Sequence, residues 1–144
     1  MLVSEIFDKV EKTKGKQQKI STLQQLQNQA VFAILQINYN PTYVMNLPEG
    51  EPPFKKEEDR PEGYQQTNIL NELRRFYIWL DPNQNISNLK RESLFIEMLE
   101  GLHLSEAKVL VAAKDGLLTK LYKSITEKLV RDSFPELLPP KGKI

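Results

Sequence analysis

From Arg91 to Pro139 the apolar residues recur at helical spacing, and each run is closed by a helix stop and reopened by a helix start. Leu89, Leu94, Phe95, Met98, Leu99 and Leu102 mark a buried helix, with Gly101 placed to serve as its C-cap. Ser105 is a good N-cap for a helix over 106–114, and Glu106 suits its first turn, where the helix dipole favours a carboxylate. Gly116 stops that helix. Ser124-Ile125-Thr126-Glu127 has the form of a capping box and opens a last helix through Asp132.

The same spacing runs through the first half. Val3, Ile6, Phe7 and Val10 predict an amphipathic first helix, interrupted at Gly15. Ile20, Leu23 and Leu26 carry the period through a glutamine-rich run of good helix formers. Ala30, Val31, Ile34, Leu35 and Ile37 form a third helix between Asn28 and Asn40-Pro41. Near Thr67 helix resumes, with Ile69, Leu70, Leu73, Phe76, Tyr77 and Leu80 as a broad apolar face, until Asp81-Pro82-Asn83 breaks it. No segment alternates long enough for a strand. The expected fold is all-α: one domain over 1–144, a single compact bundle of about six or seven helices, with a short tail over 139–144.

Residues 41–66 differ in kind. Pro48, Pro52 and Pro53 remove backbone donors, Gly50 permits a turn, and Pro61 and Gly63 prolong the irregular stretch. So long a Pro-rich loop is either a functional arm or a surface strap pinned by Tyr43, Leu47 and Phe54. The recurrence of large apolar side chains favours the strap.

Chemistry-bearing residues are sparse. The chain has 144 residues, 40% apolar and 27% charged, with no cysteine, which removes disulfides, thiolate metal sites and a cysteine nucleophile. His103 is the single histidine, so neither a histidine metal cluster nor a Ser-His-Asp triad can be built. Lys114-Asp115-Gly116 resembles a nucleotidyltransferase signature but lacks its residue between Lys and Asp. A lysine in the last turn of a helix before a glycine stop explains it better. Glu57-Glu58-Asp59 lies among Lys55, Lys56 and Arg60 and reads as a solvated loop, and Glu97 with Glu100 reads as the polar side of a helix. No apolar run reaches the roughly 18 residues of a membrane span, and the first residues lack the basic-then-apolar order of a signal peptide.

Net charge is +1, with mildly basic ends and an acidic 41–66 loop. Lys114, Lys120, Lys123, Lys128 and Arg131 are the best basic group. Lys123 and Ser124 stand at an expected helix start, whose free amides suit phosphate. Such a set can hold a nucleic-acid backbone without reading bases. A solvated helix face is the competing explanation.

Two resemblances add to this reading. Glu5-Ile6 with a lysine-rich segment ending in Lys19-Ile20, the string Leu47 to Phe54, the string Arg91 to Glu100, and Ile125 to Val130 with Phe134-Pro135 resemble small uncharacterised proteins of T-even-type tailed phages. More faintly, the order of segments is similar to the N-terminal helical DNA-binding domain of the ATP-dependent DNA ligase of such phages. Lys114-Asp115, Ile125 to Lys128 and Pro135-Glu136-Leu137-Leu138-Pro139 occupy the matching places. That domain grips duplex DNA across the minor groove, so the resemblance implies that Lys114, Lys123, Ser124, Thr126 and Lys128 face DNA. The segment after Lys114 departs from the ligase pattern, the acidic loop has no clear counterpart there, and the ligase's catalytic and oligonucleotide-fold parts have none here. Ligation is therefore not implied.

The expectation is a non-enzymatic phage accessory protein that binds duplex DNA backbone without sequence specificity, in replication, recombination, transcription or DNA processing. Lys114, Lys120, Lys123, Ser124, Thr126 and Lys128 would be the phosphate contacts. The alternative is a protein-interaction module or virion component, with no DNA binding, whose recognition loop is Pro48, Pro52, Pro53 and Phe54 and whose partner is a phage or host protein. Neither reading calls for a cofactor, a metal, a membrane or a small-molecule substrate, and both place the protein in host cytoplasm or the virion.

Overall fold

The computed structural model describes residues 1–56, 61, 65–82 and 84–140. Among them the chain is all-α, without strands. Three helices open it: α1 (Val3–Lys12), α2 (Lys16–Leu26) and α3 (Gln29–Tyr39). Asn28 caps α3 by accepting the Val31 N–H, as its side chain and position predict. After the 41–66 loop come α4 (Ile69–Glu72), a 3-10 turn (Leu73–Arg75), α5 (Tyr77–Leu80), α6 (Asn88–Gly101), α7 (Leu104–Lys114), α8 (Leu118–Leu121) and α9 (Glu127–Ser133).

The count exceeds six or seven for two local reasons. The segment expected as one helix from Thr67 to Leu80 is broken by the 3-10 turn, where the Phe76 N–H reaches back to Leu73 O. That tightening puts Phe76 and Trp79 inside and leaves Leu70 and Tyr77 exposed, so the apolar face is narrower than its composition suggests. The α8 turn, in a stretch with no strong period, is the second addition.

The hub is α7, which packs against α1, α3, α6 and α8. Ala107, Val109, Leu110, Val111 and Ala113 are buried on several sides of it, as expected of a central helix. Glu106 is buried at its start and accepts the N–H groups of Val3 (2.9 Å) and Ile69 (3.0 Å). One carboxylate therefore ties the beginnings of α1, α4 and α7, satisfying helix-start donors that burial would otherwise strand. Burial raises its pKa, and those two amide bonds oppose the rise. Trp79 is fully buried, edge-on to Phe76 and Phe95, with its indole N–H donated to Arg91 O at 2.9 Å.

Several caps differ from expectation. His103, not Ser105, caps α7: its Nδ1 accepts the Ser105 N–H. The Ser105 hydroxyl bonds to that same ring nitrogen and to Ser4, joining α7 to α1. Thr126, not Ser124, caps α9 by accepting the Leu129 N–H at 3.2 Å. Gly101 is the last residue of α6 rather than a cap. A Cβ there would stand 3.3 Å from Thr67 Cγ2, and its carbonyl accepts the Thr67 N–H, so a close backbone approach is what suits glycine. Gly116 is the true stop, at φ +73°, with the Leu117 N–H returning to Ala112 O in a Schellman-type closure.

The last residues fold back. Leu138 is buried, Arg131 Nη1 donates to Pro139 O at 2.7 Å, and Phe134 stands edge-on to Phe32. A free tail therefore does not begin at Pro139. Residues 141–144, the Glu57-Glu58-Asp59-Arg60 run, Gly63 and Asn83 lie outside the described residues. No helix among the described residues is long and apolar enough to cross a membrane.

Candidate binding surfaces: the basic C-terminal face and the groove beneath the strap

The expected phosphate contacts separate into two groups. Lys114 is the last residue of α7, and its side chain is only 3% exposed. Its ammonium donates to Pro48 O (2.8 Å) and Gly50 O (3.1 Å) and pairs with Asp115 Oδ1 (2.7 Å). Those bonds use the three N–H donors of a lysine, leaving none for a phosphate. Asp115 completes the clasp by accepting the Gly50 N–H at 3.1 Å. Lys114-Asp115 is thus the fastening of the Pro-rich loop.

At Ser124, expected among the phosphate contacts, the backbone N–H donates to Glu11 Oε2 at 2.9 Å. The Thr126 hydroxyl is engaged as the α9 cap. Lys120, Lys123 and Lys128 are exposed, and no carboxylate pairs with them among the described residues. Acidic groups are interleaved with this face. Glu127 binds Arg131 at 2.8 Å, and Asp132 pairs with Lys16 at 2.9 Å, which lowers its pKa. Beneath them two phenols are held protonated: Tyr39 is pushed up to about 12 by burial and by Glu127, and Tyr122 is raised by burial, then by Asp8 and Glu11. Leu117, just before α8, and Leu121, its last residue, are also exposed.

The 41–66 loop is a strap over its described part. Met45 is buried, the Asn46 N–H donates to Trp79 O (2.8 Å), and Leu47 and Phe54 pack on the core. Tyr43, expected as a pin, is exposed instead. The far end is held where the Lys55 N–H meets Glu100 Oε2 at 2.8 Å, which assigns Glu100 a role the helix pattern does not suggest. Phe54, the expected centre of a recognition arm, is half-buried beneath Lys56, whose ammonium lies 5.5 Å from the ring centroid.

Between strap and α6 the structure leaves a cavity of about 220 Å³, walled by Leu47, Pro48, Pro52, Pro53, Phe95 and Ile96, with Glu49, Glu51, Glu92 and Lys114 also lining it. It adjoins a second space of about 240 Å³, lined by Asn46, Leu47, Pro48, Asn88, Arg91 and Glu92. Leu47, Pro48 and Glu92 border both, so the two read as one groove. Pro48, Pro52 and Pro53 therefore belong to a site, as walls rather than as an extended arm.

Arg91 is the residue sequence reasoning missed. It is only 5% exposed. Its guanidinium donates to Asn88 Oδ1 (2.7 Å) and Ile86 O (3.0 Å), while its buried Nε–H has no acceptor among the described residues. The signal was present, since Arg91 sits on the same stripe as Phe95, Met98 and Leu102. Leu89, expected on that stripe, is 78% exposed.

Residues 6–120 match a family of unknown function, DUF6433. The chain belongs to that family. No curated protein and no solved structure matches it. The match includes the strap, α6 and α7, hence the whole groove, and ends before Lys123, Ser124, Thr126 and Lys128. The groove thus lies wholly within the matched segment.

Proposed function

We propose that this protein is a non-enzymatic protein-interaction module whose binding site is the groove between the strap and α6. The observation that carries this reading is the clasped apolar cavity of about 220 Å³. Its walls of proline, Phe95 and Ile96 suit one or two apolar side chains of a partner. Ile96 lines it, is half-buried, and is not among the residues packed into the core, so it is available for contact. The likeness of the quoted strings to T-even-type phage proteins makes a phage or host protein the natural partner, met in host cytoplasm or in the virion.

Duplex DNA remains a second reading because Lys120, Lys123 and Lys128 are exposed without a paired carboxylate among the described residues. A ligase-like grip would draw its positive charge from these three, since the Lys114 ammonium is engaged within the chain.

Two variants separate the readings. Ile96→Arg fills the groove, and a triple Lys120→Gln, Lys123→Gln, Lys128→Gln variant removes the basic face. Capture of a partner from infected cells should be lost with Ile96→Arg and kept with the triple variant. If duplex binding weakens steeply with salt, vanishes in the triple variant and ignores Ile96→Arg, the DNA reading replaces ours.

A further inference from the structure

We infer that residues 48–55 form a latched cover over α6 that lifts as one unit, released at Lys114, while the helices stay folded. Four hydrogen bonds fasten that segment to the helical body among the described residues. Pro48 O and Gly50 O accept from Lys114, the Gly50 N–H meets Asp115, and the Lys55 N–H meets Glu100. Each of them ends on a side chain of α6 or of the α7 end. Among the described residues no backbone group of 48–55 bonds to another backbone group. The flanks are tied through backbone instead, Asn46 N–H to Trp79 O and Thr67 N–H to Gly101 O. The segment therefore stands outside the main-chain network, and such segments open at lower free energy than the core.

What opening loses is small and local. Pro48, Glu49, Gly50, Glu51, Pro53 and Lys55 are exposed, while Phe54 packs on the core and Pro52 is half-buried. The segment spans a cavity of about 220 Å³ instead of lying against α6, so it forgoes much of the close contact that holds a packed element. Lys114 and Asp115 pair with each other at 2.7 Å, and that pair survives opening, so no charge is stranded. The freed strap groups meet water, which replaces their bonds. Pro48, Pro52 and Pro53 fix φ and stiffen the segment, so a lift at the clasp is carried toward Lys55. Opening uncovers Phe95 and Ile96, which the strap roofs. The cover is a property of the chain alone and does not depend on the protein-interaction reading.

The test is native-state cleavage of the full chain by a glutamyl-specific protease, with the cut placed by mass. The bond after Glu49 lies within the clasp, since the Gly50 N–H and carbonyl are both held there. A protease reaches it from the open form, whose population then sets the rate. Trp79, the single tryptophan and fully buried, reports unfolding of the body by fluorescence. Rates are taken relative to an unfolded peptide of residues 44–55, which carries the same bond. In the parent, cleavage after Glu49 should change by less than about threefold at urea concentrations below the Trp79 transition, because local opening exposes little surface. Lys114→Met should speed it by about tenfold or more, and Glu100→Ala, at the far end, by about threefold or more. Trp79 fluorescence in water should stay that of the parent in both. Cleavage that rises in step with Trp79 unfolding would overturn the inference, as would indifference to Lys114→Met or to Glu100→Ala. The urea series on the parent needs no substitution, so it decides the matter even where a variant fails to fold. Partner capture does not enter the test, and failure of the cover leaves the protein-interaction reading to its own experiment.

Discussion

Lys114 and Lys123 belong to one basic stretch of sequence, yet their ammonium groups meet opposite surroundings. Lys114 is enclosed by two strap carbonyls and Asp115, whereas Lys123 is exposed beside Ser124, whose own N–H is already held by Glu11. The difference is supplied by distant residues. A proline-rich segment has fewer N–H groups than carbonyls, because proline has none to give, so carbonyls are left over for a distant donor. A lysine at a helix C-terminus is well placed to donate to such carbonyls while also meeting the negative end of the helix dipole. Basic composition therefore describes an exposed surface in one place and a structural fastening in the other.

Removing the fastening is the strongest way to test that contrast. Lys114→Met should cost about 2–3 kcal/mol, because it leaves Asp115 and two strap carbonyls without their donor, whereas Lys123→Met should not approach that. Urea unfolding of the two variants compares them directly, and equal midpoints would mean that the clasp does not hold the strap.

Alkaline pH probes the other region. Tyr39 and Tyr122 bind their protons more tightly when folded than the ordinary phenol value of 10.0, with Tyr39 near 12. Above pH 10 the unfolded chain thus binds fewer protons than the folded one, and stability must fall as pH rises toward 12. Thermal melts between pH 9 and about 12, with Tyr39→Phe removing part of the slope, would show it. A flat profile would place the phenols in contact with water.

A smaller effect is expected at the stop that orients the clasp. Gly116→Ala puts a side chain at φ +73° and should cost about 1 kcal/mol, read from the denaturation midpoint. The smallest effect belongs to the exposed lysines. Lys123→Ala and Lys128→Ala should each stay within about 0.5 kcal/mol of the parent, while any salt-sensitive binding of the C-terminal face would weaken. Larger losses of stability would make that face structural as well.

How much was legible beforehand follows from the range of each interaction. The first three helices, the Asn28 cap and the Gly116 stop rest on neighbours along the chain, and the structure has them where periodicity and cap chemistry put them. Ser105 and Ser124 are good cap residues displaced by His103 and Thr126, one choice of cap among several close candidates. Arg91 was hidden because a charged residue on an apolar stripe is read as the stripe's edge. Its burial depends on Asn88, Ile86 O and the overlying strap.

By itself the sequence determined an all-helical chain crossed by one Pro-rich loop, because helix period, caps and proline act through local backbone geometry. Only the tertiary structure decided that Lys114 closes the loop, that Glu11 occupies the Ser124 amide, and that a groove lies between strap and α6. Those outcomes depend on which unsatisfied donors and acceptors from distant segments meet when the core packs, and spacing along the chain carries no record of that.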